Sequence, residues 1–157
     1  MLSFEISLPK TQFAVGEPIP LTMVLRNVSS EPLTVNKRLL VNDASARSAF
    51  RDVTLHIRTP SGDEAAFGFL INVGFPRPED FTKLAPGEAF EKSLDISRWY
   101  RLDAAGEYDL KAVYQNALAG PPVLDQDTDT YMDSDIGAVK ARATSNALAF
   151  QLRESTN

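Results

Sequence analysis

The sequence predicts an all-β protein folded as a two-layer antiparallel sandwich. Apolar residues recur at every second position in six segments, and turn-forming residues separate these segments. No long stretch shows the apolar spacing of an amphipathic helix. Because successive side chains of a strand point to opposite faces, each of the six segments would bury one face and expose the other. Two packed sheets meet that requirement.

The elements follow one another along the whole chain. The residues on the apolar faces of the six predicted strands are Leu2, Phe4, Ile6 and Leu8; Leu21, Met23 and Leu25; Val53, Leu55 and Ile57; Phe90, Leu94 and Ile96; Tyr108, Leu110, Ala112 and Tyr114; and Leu148, Phe150 and Leu152. Turn signals rich in Gly, Pro, Asn and Asp lie between them, at residues 15–18, 27–32, 59–64, 85–88 and 103–107. Residues 44–51 are compatible with one short helical turn.

The composition sets limits on the classes of function. A chain of 157 residues with 43% hydrophobic side chains is expected to form a single domain, residues 1–157, with its own core. The absence of cysteine excludes disulfides, thiolate catalysis and zinc sites with Cys ligands. The 16 basic and 21 acidic residues give a net charge of -5, and no basic patch is visible. Binding of nucleic acid or of an anionic membrane is therefore not expected.

The alternation in the N-terminal residues 1–10 predicts a strand. These residues lack the basic start and the unbroken apolar run of a secretory signal. A cytoplasmic location is expected if Met1 is the natural first residue, although a chain from which a signal peptide has been removed would look the same.

Two connections are longer than a turn, and long connections in a compact domain are often functional. The first, residues 71–84, supplies five candidate partner-binding residues: Phe75, Pro76, Arg77, Pro78 and Phe81. Its prolines stiffen the segment, so that its aromatic side chains would lose little entropy on binding. Replacing Phe75 and Phe81 with Ser should weaken binding and spare the fold. If the aromatic rings instead cover the core, the same change should lower the melting temperature.

The second connection, within residues 116–138, is an expected acidic loop or insertion. It contains the five aspartates Asp125, Asp127, Asp129, Asp133 and Asp135, which account for the whole net charge. The spacing of Asp125, Asp127 and Asp129 matches the opening of a calcium loop, but Thr130 and Ile136 stand where such a loop has Gly and a bidentate Glu. We therefore expect a solvated loop, with a calcium site as the alternative. Millimolar calcium should raise the melting temperature no more than magnesium does.

The segment from Leu84 to Tyr114, "LAPGEAFEKSLDISRWYRLDAAGEYDLKAVY", resembles the bacterial Ig-like sandwiches of the intracellular proteinase inhibitor type and macroglobulin-like domains. Residues 16–27, 32–35 and the closing "SNALAFQL" extend the resemblance to about two-thirds of the chain. It implies an Ig-like fold, with Gly106 and Tyr108 placed as in a tyrosine corner. No reactive-site motif is recognisable, so the resemblance assigns no inhibitory loop.

Three other sequence features have both a structural and a functional interpretation. His56, the only histidine, should lie on the polar face of its strand. The sequence indicates no nucleophile and no second metal ligand that would act together with it. Trp99 and Tyr100 could form a sugar-binding platform, but we expect Trp99 to pack near the core at a strand end. Asn27-Val28-Ser29 has the form of a glycosylation acceptor.

These observations favour a non-catalytic protein-binding module that acts through its end loops, with a protease as one possible partner. The alternative is a domain that binds a divalent cation or a cationic ligand through residues 125–135. No enzyme activity and no cofactor other than calcium in that alternative are expected.

Overall fold

A computed structural model describes residues 1–42, 52–68 and 74–155. The predicted helical turn at residues 44–51 lies outside these ranges. The described strands, in chain order, are β1 Leu2–Ser7, β2 Gln12–Ala14, β3 Pro20–Asn27, β4 Leu33–Asn36, β5 Val53–Arg58, β6 Phe81–Leu84, β7 Ala89–Asp95, β8 Gly106–Asn116, β9 Val123–Asp125, β10 Thr130–Met132, β11 Ala141–Thr144 and β12 Leu148–Arg153. Pro78–Asp80 and Ile96–Arg98 form short 3-10 helices.

The strands form an Ig-like antiparallel β-sandwich, which confirms the predicted fold class. One sheet has the order β1-β3-β7. The other is built around β8, which pairs with β5 along one edge and with β12 and β11 along the other. One pairing departs from the expected antiparallel arrangement, because β2 runs parallel to β12 at the edge of the second sheet.

Both long connections contain strands that the sequence analysis missed. Phe81 was expected in a loop, but it is the first residue of β6, which pairs with β4 in a separate two-stranded sheet. Within residues 116–138, β9 and β10 pair as a hairpin, so the expected acidic loop is partly ordered as strand. Strands of three or four residues are too short to show an alternating pattern, and their pairing depends on partners elsewhere in the fold.

The core lies between the two large sheets and is built largely from the predicted apolar faces, together with buried residues of other segments. Leu21, Met23 and Leu25 of β3 are fully buried, and so are Ala112 and Tyr114 of β8. The rings of Phe4 in β1 and Tyr114 in β8 meet across the two layers, with their centroids 5.9 Å apart. The alternation in the sequence thus identified the faces that pack together.

The turn before β8 is the predicted tyrosine corner. The Tyr108 hydroxyl donates a hydrogen bond to the carbonyl of Ala104, at 2.6 Å, and the ring stacks on Phe150 inside the core. Gly106 has a φ of +136°, and a Cβ at this position would lie 2.7 Å from Cγ of Pro60. Both the backbone conformation and the close approach therefore require Gly at residue 106.

The part of the chain that the structure describes contains no helix long and apolar enough to cross a membrane.

Candidate functional site

The candidate functional surface lies on the hairpin formed by β9 and β10, residues 123–132. Its register places Leu124 opposite Tyr131 and Val123 opposite Met132. Residues 126–129 connect the strands, and the Asp125 carboxylate accepts a hydrogen bond from the backbone N–H of Asp127 at 2.9 Å. A hydrogen bond from a backbone N–H to the Asp side chain two residues earlier is typical of a tight turn. The left-handed backbone of Asp129, at φ 53°, is also typical of Asp in such turns.

The hairpin exposes four large apolar side chains. Val123 is 56% exposed, Leu124 44%, Tyr131 58% and Met132 55%. Directly opposite residues of an antiparallel pair share a face, so Leu124 and Tyr131 lie on one face and Val123 and Met132 on the other. Single exposed apolar residues are common, but a pair of them on each face of a short hairpin is typical of a segment that another molecule covers.

Phe75 brings the two long connections together. Its ring meets the ring of Tyr131 edge to face, with the centroids 5.1 Å apart. Edge-to-face packing is a favoured geometry for aromatic pairs. Phe75 from the predicted partner-binding segment and Tyr131 from the second connection therefore lie with Leu124 on one continuous surface, which we call the hairpin surface: Phe75, Leu124 and Tyr131.

Backbone hydrogen bonds fasten the base of the hairpin to the sandwich. The carbonyl of Ala119 accepts from the N–H groups of Ile136 and Ala138, at 3.0 and 2.9 Å, and the N–H of Val139 donates to the carbonyl of Thr34 at 2.8 Å. The side chain of Asn116, which is buried, donates to the carbonyls of Leu118 and Val139. An isolated two-stranded hairpin is only marginally stable, and these bonds supply the missing support.

A buried ion pair holds the segment that carries Phe75. The guanidinium of Arg38 pairs with the carboxylate of Asp52, with 2.7 Å between Nε and Oδ2, and also donates to the carbonyl of Gly74 at 2.8 Å. Lys92 donates to the carbonyl of Arg38, and burial lowers the pKa of its ammonium while Asp52 and Asp80 oppose that shift. This network fixes the backbone next to Phe75.

The hydroxyl of Tyr114 extends the same polar network into the core. It donates to the carbonyl of Asn36 at 2.9 Å. Burial, and secondarily the negative charge of Asp52, raise the pKa of Tyr114 well above its ordinary value. The hydroxyl therefore keeps its proton and its role as a donor at any physiological pH.

The five predicted partner-binding residues occupy different environments. Phe75 is half-buried against Tyr131, Pro76 is buried, and Arg77 and Pro78 are exposed. Pro78 begins a 3-10 helix whose first turn is closed by a hydrogen bond from the N–H of Arg77 to the carboxylate of Asp80, at 2.7 Å. Phe81 is half-buried in β6. Of the five, Phe75 is the residue that the structure places against the hairpin.

The five aspartates lie in the hairpin and directly after it. Asp125 ends β9, Asp127 and Asp129 lie in the turn, and Asp133 directly follows β10. The Asp135 carboxylate accepts a hydrogen bond from the N–H of Gly137 at 2.8 Å. Across residues 1–42, 52–68 and 74–155, no group of three or more His, Asp or Glu side chains is arranged so that it could hold a metal ion.

Sequence reasoning missed the apolar side chains of the hairpin because the charges dominate residues 125–135. A signal was present, since the apolar pairs Val123-Leu124 and Tyr131-Met132 flank six polar residues. Two short apolar runs on either side of a polar turn are typical of a hairpin.

His56 lies on the exposed face of β5, as predicted. Its Nδ1 is 2.9 Å from the carboxylate of Glu64, and both side chains border a surface groove of about 570 Å³. The described lining of this groove includes Asp109 and Lys111 but no hydroxyl side chain. The groove therefore pairs the imidazole with an acid, and the described lining brings no hydroxyl nucleophile to it.

The other two sequence features have structural roles. Trp99 is partly buried against the core and stacks on Phe67, with the ring centroids 6.2 Å apart, which confirms the packing interpretation. Asn27 is fully buried, and its side-chain amide donates to the carbonyls of Glu31 and Leu84. An enclosed amide of this kind is inaccessible to a glycosylating enzyme in the folded protein.

Comparisons with known proteins identify no family. No protein-family model matches the chain, and no curated protein matches it. Among solved structures, the chain is similar to the CARDB domain of the PF1109 protein from Pyrococcus furiosus, which was determined in complex with di-metal ions. The two share 13% sequence identity and a TM-score of 0.45, over 99% of this chain and 94% of that one. A likeness of this degree says nothing about the ligands of the present chain.

Proposed function

We propose that this domain is a non-catalytic protein-binding module and that its contact surface is the hairpin surface. One observation carries the proposal: four large apolar side chains stand exposed on a hairpin whose base is tied to the sandwich. Burying such side chains in an interface releases roughly 25 cal/mol per Å² of apolar area. The same burial is not available within the described fold.

The hydrogen bonds that anchor the two segments to the sandwich also support the proposal. The bonds from Val139 to Thr34 and from Arg38 to Gly74 hold the two segments of the surface on separate parts of the sandwich. A surface held in place before it meets its partner loses less conformational entropy on binding than a free loop does. A sandwich that presents loops at one end is a common scaffold for such recognition.

The test compares matched apolar substitutions. The double variant Leu124→Ser/Tyr131→Ser removes two side chains of the hairpin surface, whereas Val28→Ser removes an apolar side chain that is 54% exposed elsewhere. Each variant is immobilised, and the proteins that it captures from a lysate of the source cells are quantified by mass spectrometry. Melting temperatures confirm that each variant remains folded.

We expect the double variant to lose a defined set of captured proteins that the wild type and Val28→Ser retain. Identical capture by all three would refute the proposal. The resemblance to intracellular proteinase inhibitors suggests one further arm, in which the wild type is assayed against purified proteases of the main catalytic classes. Inhibition that is abolished by Leu124→Ser/Tyr131→Ser would identify the partner as a protease.

A further inference from the structure

The charged and aromatic residues at the hairpin surface indicate which kind of protein it binds. This inference rests on the proposed function and goes beyond it. We infer that the hairpin surface binds a basic segment of a partner protein, in which Lys or Arg residues alternate with large apolar side chains. The apolar side chains of such a segment would contact Leu124 and Tyr131, and its cations would meet the neighbouring carboxylates.

The negative charge of the chain is concentrated in one segment. The five aspartates between residues 125 and 135 equal the net charge of -5, and the rest of the chain balances at 16 acidic and 16 basic residues. No Lys or Arg occurs between Lys111 and Lys140. Within the described part of the chain, none of the five carboxylates takes part in an ion pair. The negative charge is therefore concentrated at the hairpin, and no ion pair among the described residues neutralises it.

The carboxylates next to the strands lie beside both faces of the hairpin. Asp125 alternates with Leu124 and lies on the face of Val123 and Met132, whereas Asp133 follows β10 two residues after Tyr131. A partner that covers the apolar side chains consequently brings its own neighbouring side chains next to carboxylates. An acidic partner would be repelled, whereas Lys and Arg would gain favourable interactions at the rim of the contact.

The hairpin surface also contains an accessible aromatic residue. Tyr131 is 58% exposed even though Phe75 packs against its ring. An exposed tyrosine ring attracts cations to its face, with Arg favoured over Lys. The same side chain can therefore contact both the apolar and the basic residues of the partner.

Other occupants would produce different behaviour. A divalent cation would bind the carboxylates without involving Leu124 or Tyr131. A second copy of this chain would cover the apolar side chains but would place two sets of aspartates against each other. The experiment separates these cases from the proposed one.

The probe is a short labelled peptide in which Lys alternates with Phe and Leu, measured by fluorescence anisotropy against the whole protein. Two peptides of equal length are compared with it, one with Glu in place of Lys and one with Ser in place of the apolar residues. We expect the Lys-apolar peptide to bind the wild type at least about tenfold more tightly than either of the others. Its affinity should fall as salt rises from about 50 to 300 mM, because the charged contacts are exposed.

Two triple variants test whether the location of the charges matters. Asp127→Asn/Asp129→Asn/Asp133→Asn removes three carboxylates at the hairpin, and Asn tolerates the left-handed backbone of residue 129. Glu91→Gln/Glu107→Gln/Glu154→Gln removes three exposed carboxylates elsewhere. The first variant should weaken peptide binding about tenfold and flatten its salt dependence, and the second should change the affinity less than about twofold.

Several results would overturn the inference. Equal losses in the two triple variants would mean that binding follows net charge alone, and equal affinity for the Glu peptide would exclude a basic partner. A dimer in sedimentation velocity that Leu124→Ser/Tyr131→Ser dissociates would show that a second copy covers the surface. Displacement of the peptide by millimolar calcium but not by magnesium would favour a cation site.

Failure of this inference is distinguishable from failure of the proposed function. If Leu124→Ser/Tyr131→Ser abolishes capture of partners from lysate while the triple aspartate variant captures them normally, the surface binds proteins but does not select basic ones. If neither variant affects capture, the proposed function itself is wrong.

Discussion

Replacing Asp52 with Asn should strongly destabilise the domain, because its carboxylate is buried and fully engaged in hydrogen bonds. Asp52 is 3% exposed and accepts four hydrogen bonds. Its Oδ1 accepts from Nδ2 of Asn36 at 2.9 Å and from Nη2 of Arg38 at 3.1 Å. Its Oδ2 accepts from Nε of Arg38 at 2.7 Å and from the N–H of Leu40 at 2.9 Å.

The size of the effect follows from what Asn cannot do. An amide has nearly the shape of a carboxylate, but its nitrogen donates hydrogen bonds and would face either the two donors at Oδ1 or the two at Oδ2. The guanidinium of Arg38, whose side chain is only 12% exposed, would also lose its counter-charge. Removing one partner of a buried ion pair costs about 3–5 kcal/mol. For a chain of this length, that loss lowers the melting temperature by roughly 6–20 °C.

The assay is urea denaturation followed by the fluorescence of Trp99, the only tryptophan. Asp109→Asn, an exposed carboxylate in β8, is the matched control and should change the free energy of unfolding by less than about 0.5 kcal/mol. Combining Asp52→Asn with Arg38→Met removes both charges, so the double variant should be less destabilised than the sum of the two single variants.

A free energy of unfolding for Asp52→Asn within about 1 kcal/mol of wild type would refute this reasoning. A buried guanidinium that has lost its counter-charge should destabilise the fold by more than that. Strict additivity in the double variant would refute it as well. Either result would mean that Arg38 reaches solvent and that the network does not hold the Phe75 segment.

Three further predictions concern the turns. Tyr108→Phe removes the hydroxyl that bonds Ala104 and should lower the free energy of unfolding by about 1 kcal/mol in urea, with no change in the circular dichroism spectrum. Gly106→Ala should cost more, roughly 2–4 kcal/mol, because the new Cβ meets Pro60 and the positive φ is strained; a neutral effect in calorimetry would contradict both reasons. Burial alone would raise the pKa of Asp95, but hydrogen bonds from the side chain of Ser97 and from the N–H groups of Ile19 and Ser97 outweigh it and hold that pKa below its ordinary value. The folded pKa of Asp95 is thus depressed, so its carboxylate stabilises the fold above the unfolded pKa of about 4 and ceases to do so as the pH falls through the folded value. Asp95→Asn should therefore be less stable than wild type by about 1 kcal/mol at neutral pH, with the difference shrinking below about pH 4, and a difference that is constant with pH would exclude the charge as its cause.

The sequence by itself determined the all-β class and the faces that pack in the core. Alternation in β3 and β8 is a local property, because each residue's direction in a strand depends only on its position relative to its neighbours. The tyrosine corner was predictable for the same reason, since Tyr108 bonds a carbonyl four residues earlier. The position of the candidate surface was predictable in part, because Phe75 lies in a connection too long to be a simple turn.

Only the tertiary structure decided which segments meet. The parallel pairing of β2 with β12, the sheet formed by β4 and β6, and the contact between Phe75 and Tyr131 join residues far apart in the chain. In the first two pairings, β2, β4 and β6 have only three or four residues, too few for a pattern of their own, and each is stabilised by the neighbour that supplies the complementary edge. The contact between Phe75 and Tyr131 likewise depends on how two separate connections are anchored, through Arg38 and through Thr34. Periodicity reports whether a side chain is buried, and the identity of its neighbour depends on the packing of the whole chain.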